Sequence, residues 1–68
     1  MIAMSSVLPG RCLGWSSAAG EVVMTSAESP DALLFIDYAD LNRWIALRGA
    51  RVRALVRDHA FELRAAPS

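Results

Sequence analysis

The chain has no lysine, a single cysteine (Cys12) and a single histidine (His59) among its 68 residues. One cysteine excludes an internal disulfide, and with only one histidine beside it a structural cysteine-based zinc site is out of reach. Neither sign of charge is in excess: seven arginines balance seven acidic residues. A neutral chain has no global field with which to attract nucleic acid or an anionic membrane. Long apolar runs are missing too. The longest strongly apolar stretch, Ala32 to Ile36, is five residues, whereas a membrane span needs about 20. Residues 1–9 are apolar, but no basic residue precedes them and Pro9, Gly10 and Arg11 end the run. An export signal is therefore not expected, and a free thiol fits a reducing cytoplasm.

What is present points to one small packed domain. The apolar share is 54%, well above that of disordered chains. It is unevenly spread. The first 29 residues are mostly Ser, Ala, Gly and Met, and the large aliphatics gather after Pro30. Residues 1–28 show no helical periodicity and read as a flexible arm, with Met24 a second candidate start of translation.

Ser29-Pro30-Asp31 supplies an N-cap residue, a proline for the first helical position and an acid for the positive end of the dipole. Gly49 suits a C-terminal cap. A first helix over 30–48 follows, with Leu34, Tyr38, Leu41 and Ile45 on one stripe. A second, over 50–64, aligns Val52, Leu55, Val56, His59 and Leu63, with Arg53, Arg57 and Arg64 on one flank. The expected fold is mostly α: an arm, a helical hairpin over 29–65 and a tail over 66–68. The alternative is a β-α-β fragment of an α/β domain. In it, Leu33–Ile36 and residues 51–57 are strands, and a helix runs from about Asp40 to Arg48.

Asp37 and Asp40 are the residues nearest to a chemical site. On a helix they share a face, and paired carboxylates can hold a hard cation such as magnesium. The stretch Leu34-Phe35-Ile36-Asp37-Tyr38-Ala39-Asp40-Leu41-Asn42 resembles the opening strand of NYN-type nucleases, relatives of the PIN ribonucleases. That family has an apolar strand ending in Ile-Asp, then an Asn three residues on, with Leu after it. The resemblance implies that Asp37 helps to bind a catalytic magnesium or manganese ion in a metal-dependent ribonuclease. Only Asp37 carries over by position, since Asp40 stands where the family has Asn. A whole domain of that type is longer and draws further acids from later strands, so this chain would be its amino-terminal fragment.

The remaining residues favour a non-catalytic reading without cofactor. His59 lies on the apolar stripe and reads as a packing residue. No serine stands in a Gly-x-Ser-x-Gly setting, and Gly10, Gly14 and Gly20 are too widely spaced for a phosphate loop. Arg51, Arg53, Arg57 and Arg64 offer a few phosphate contacts, a weak case for nucleic acid given Asp58 and Glu62 beside them. Two apolar stripes on so short a chain point instead to an interaction protein. It would self-associate or dock on a larger protein through Leu34, Leu41, Trp44, Ile45, Val52, Leu55, Val56 and Leu63.

Overall fold

Alternation rather than helical periodicity governs the amino-terminal part of the chain. Leu13 and Trp15 alternate with Cys12 and Gly14, and Val22 and Met24 alternate with Val23 and Thr25. A period of two sends alternate side chains to opposite faces of a strand. The computed structural model, which describes residues 1–67, has strands there: β1 (Ile2–Met4), β2 (Arg11–Ser16) and β3 (Glu21–Ser26). Two helices follow, α1 (Tyr38–Ala46) and α2 (Ala50–His59), and then β4 (Glu62–Arg64). The strands form one antiparallel sheet in the order β3-β2-β1-β4.

This overturns the mostly α expectation: helix and strand each hold 28% of the chain. Residues 1–28 are not an arm, because they supply three of the four strands. The chain is therefore not a helical protein built on a 29–65 hairpin. Nor is it a β-α-β unit, since residues 51–57 are helical and every strand pair is antiparallel. The expected tail, 66–68, begins after β4, with Ser68 outside the described residues.

Each helix is shorter than its sequence pattern because the sheet claims its ends. Ser29-Pro30-Asp31 makes a turn, with the Ala32 N–H on the Ser29 carbonyl at 3.1 Å and the Asp31 N–H on Ser29 Oγ at 3.1 Å. Residues 31–35 then run extended. The Trp15 N–H donates to the Asp31 carbonyl (2.9 Å) and the Leu33 N–H to the Leu13 carbonyl (3.1 Å). Two residues on, the Phe35 N–H donates to the Met1 carbonyl (2.7 Å), and the Met1 amino group donates to the Phe35 carbonyl (2.7 Å). The segment thus fills the fork where β1 leaves β2. Its backbone groups are committed to strands, so α1 starts only after Asp37. At the far end Ala60 turns left-handed (φ 48°), which ends α2 and frees Glu62–Arg64 to pair with β1.

Paired residues share a face, which divides the sheet cleanly. Ala3, Leu13 and Val22 face the helices and meet Phe35, Leu41 and Val52 in the buried core. Trp15, Met24, Trp44, Ile45, Leu55, Val56 and Leu63 pack around it, partly buried. Phe35 and Trp44 meet edge to face at 5.9 Å. The Arg48 guanidinium lies 5.0 Å from the ring centroids of both Trp15 and Trp44. Each such contact contributes about 0.5–1 kcal/mol at an exposed site. It ties the end of α1 to β2. On the opposite face, Ile2 and Cys12 are also buried. Among the described residues no helix is long and apolar enough to cross a membrane.

Gly14 sits where the fork is tightest. A Cβ there would stand 2.7 Å from Thr25 Cγ2 and 2.8 Å from the Asp31 carbonyl oxygen. Gly14→Ala is expected to lower stability by about 1–3 kcal/mol, the usual range for overpacking. It should reduce the urea midpoint at unchanged m-value. Adding Thr25→Ala removes one of the two clashes and should restore part of the loss. A neutral Gly14→Ala would contradict the close approach.

Candidate functional site

The two edges of the sheet are finished differently. Trp15 and Leu13 direct their backbone groups to residues 31–33, away from β3. Cys12, Gly14 and Ser16 therefore face β3 and bond with Thr25, Val23 and Glu21, their register partners. The N–H and C=O groups of Val22 and Met24 point outward from the sheet. Among the described residues none of these four groups has a hydrogen-bond partner. At the other edge, β4 is only three residues long, and its outward Leu63 N–H donates to the Tyr38 hydroxyl at 3.0 Å. At β4 one outward donor is satisfied by Tyr38, and at β3 the outward groups of Val22 and Met24 have no partner among the described residues.

The open edge lies in a cleft. Glu21, Val22, Val23 and Met24 form one wall, and Arg51, Ala54, Leu55 and Asp58 of α2 form the other, around a volume of about 560 Å³. Arg51 bridges to Glu21 at 3.3 Å across one end. Val22 is buried at the foot of this wall. The cleft therefore combines apolar contact with two backbone donors and two acceptors, spaced two residues apart. That is the chemistry an extended backbone needs in order to add to a sheet.

The residues expected to form an interface lie elsewhere, with one exception. Leu41 and Val52 are each only 3% exposed, and they cover the sheet of their own molecule. Trp44, Ile45, Val56 and Leu63 are partly buried around them. Leu55 also packs there and lines the cleft. Leu34 is 68% exposed and lies outside any helix, bordering a separate shallow hollow with Ile2, Pro30 and Pro67. Glu21, Val22 and Met24 stand within the stretch whose composition suggests an arm. The signal available was a pair of alternating stretches on either side of Ser17-Ala18-Ala19-Gly20. There the Gly20 N–H closes the hairpin on the Ser16 carbonyl at 2.7 Å with φ +66°, a conformation glycine adopts without strain.

The candidate chemical residues have identifiable structural partners. Asp37, the position carried over from the nuclease resemblance, is the N-cap of α1, and its Oδ1 accepts the Asp40 N–H at 2.8 Å. Asp40 reaches back, its Oδ2 accepting the Ile36 N–H at 3.0 Å. The two carboxylates thus satisfy free donors at a helix start. No group of three or more potential metal ligands occurs among the described residues.

His59 stacks on Phe61 at 5.6 Å and places Nδ1 2.9 Å from Ser5 Oγ. That oxygen already accepts the N–H groups of Val7 (3.1 Å) and Leu8 (2.9 Å). The contact ties the Ser5 turn to the end of α2. Burial, with Glu28 nearby, raises the Cys12 thiol above its ordinary pKa of 9.0, which keeps it protonated and unreactive. The arginines proposed for phosphate contacts are divided: Arg51 pairs with Glu21, Arg57 of the flank pairs with Asp58, and Arg64 leaves the helix for β4, where it pairs with Glu62.

No family model, curated protein or solved structure matches the chain, so the geometry alone carries the functional reading. Asp37 supplies a direct check on its role. Asp37→Ala should cost about 1 kcal/mol, the usual value of an N-cap, while Asp37→Asn should cost little because asparagine caps as well. Urea unfolding measures both. Equal losses in the two variants would mean that the charge, not the cap, is what the position requires.

Proposed function

We propose that the protein is a non-catalytic interaction module that accepts an extended polypeptide segment along the free edge of β3. The observation that carries this reading is the contrast between the edges. Tyr38 satisfies the outward donor of β4, while the outward donors and acceptors of Val22 and Met24 have no partner among the described residues and line the cleft beside α2. Strand addition takes its affinity from such backbone groups and its selectivity from pockets for alternate side chains.

The two walls divide these tasks. β3 offers the hydrogen bonds, and α2 offers Ala54 and Leu55 as apolar contact between Arg51 and Asp58. A bound strand would place alternate side chains under α2, where small or β-branched residues fit best. The apolar stripes of the helices, which first suggested an interaction role, serve chiefly as the core of the molecule itself. In this reading the surface left for a partner is backbone as much as side chain.

Panning a displayed library of random octapeptides against the protein at submicromolar concentration tests the proposal. Selected peptides should be rich in strand-forming residues, and adding them should shift the backbone amide resonances of Val22 and Met24 first. Met24→Pro removes one outward donor at a position where an edge strand tolerates proline, and it should abolish binding while the fold persists. Peptides that bind on another surface, or binding untouched by Met24→Pro, would overturn the reading.

A further inference from the structure

Building on the strand-addition reading, we infer that Tyr38 confines an added strand to β3, because its hydroxyl holds the place at β4 that a partner's carbonyl would take. The first observation is which groups of β4 face outward. Its register with β1 sets Ile2 against Arg64, Ala3 against Leu63 and Met4 against Glu62. Antiparallel strands pair through the backbone groups of alternate residues. The Leu63 N–H leaves that ladder and donates to the Tyr38 hydroxyl at 3.0 Å. Glu62 and Arg64 therefore face β1, and Leu63 presents the outward donor of this three-residue strand. A strand added beyond β4 would have to meet the same N–H with a carbonyl oxygen at nearly the same distance. The phenol must leave first.

The second observation is how the phenol is aimed. Tyr38 opens α1 and stands between Asp37 and Asp40. Asp37 Oδ1 accepts the Asp40 N–H at 2.8 Å, and Asp40 Oδ2 accepts the Ile36 N–H at 3.0 Å. The backbone on both sides of Tyr38 is thus fixed by a reciprocal cap. From that position the side chain reaches β4, 25 residues further along the chain. Tyr38 is nonetheless 53% exposed, so filling the core is not its main task. The hydroxyl is what sets it apart from another large side chain at the same place.

The third observation is the contrast with β3. The outward N–H groups of Val22 and Met24 have no acceptor among the described residues. β4 offers one outward donor where β3 offers two, and Tyr38 occupies that one. The charges of β4 do not settle the matter, since Glu62 and Arg64 pair with each other at 2.7 Å. A sheet able to add strands at both edges can go on growing. With Tyr38 in place, addition stops after one segment.

Titration of the full chain with the selected octapeptides, followed by backbone amide resonances, tests this inference. In the unaltered chain Val22 and Met24 should shift while Leu63 stays in place, up to millimolar peptide. Tyr38→Phe removes the acceptor and keeps the ring. Tyr38→Ala removes both and puts a good helix former at the start of α1. In each variant a second set of shifts should appear at Leu63. Its affinity should be about tenfold below that at β3, because one outward donor is engaged instead of two. Leu63 that responds in the unaltered chain, or that stays unmoved in both variants while Val22 and Met24 respond, overturns the role of Tyr38 and leaves strand addition at β3 standing. Val22 and Met24 unmoved while Leu63 responds in the variants overturns the β3 reading and leaves Tyr38 as the guard of β4. A peptide that moves neither edge in any of the three chains overturns both.

Discussion

The fold depends on a five-residue crossover, residues 31–35, that hydrogen-bonds to β2 through Leu13 and Trp15 and to β1 through Met1. Where β1 leaves β2, backbone groups would otherwise be exposed inside the sheet. The crossover satisfies them, and the same alternation delivers Leu33 and Phe35 to the core side. It also sets where α1 begins, because the chain can turn helical only once its backbone is released at Asp37. The small size of Gly14 permits the close approach, with Thr25 and Asp31 on either side of the space a side chain would need.

From that junction the rest of the architecture follows. The helices lie on the face carrying Ala3, Leu13 and Val22, and Arg48 clamps α1 to β2 between two indole rings. β4 returns after the left-handed turn at Ala60 and closes one edge beside Tyr38. Among the described residues β3 has no strand beyond it, and Arg51, Ala54, Leu55 and Asp58 of α2 line the cleft beside it. A small protein that meets an outward donor of one edge with a hydroxyl and leaves those of the other without a partner among the described residues has an asymmetric surface. Function is read from that asymmetry. Natural edge strands are usually kept short, bulged or charged to prevent pairing. β3 is six residues long, and its charge is confined to Glu21 at one end.

Only part of the stripe expected over residues 50–64 lies on α2, since the helix ends at His59 and Leu63 belongs to β4. Val52, Leu55 and Val56 do point to the core, and their period is visible without any structure. Leu41 and Ile45 were legible for the same reason. The start of α1 was not, because Ser29-Pro30-Asp31 is as good a turn as it is a cap, and long-range pairing of residues 31–35 decided between them. The arm expected over residues 1–28 rests on composition alone. Their glycines and serines looked like an arm, although Leu13, Trp15, Val22 and Met24 carried a period of two through it. Short strands with small residues between them give a weak local signal, since their stability comes from partners distant in sequence. The open edge was beyond reach, because it depends on which backbone groups the crossover and Tyr38 leave unpaired.

Amide hydrogen exchange in dilute solution, resolved by residue, measures that edge most directly. The account predicts rapid exchange at Val22 and Met24, against slow exchange at Val23 and Thr25, which bond to β2, and at Leu63, which bonds to Tyr38. Protection at Val22 and Met24 equal to that of their neighbours, in a chain shown to be monomeric, would mean that the edge is already satisfied within the molecule, and the proposed surface would not exist.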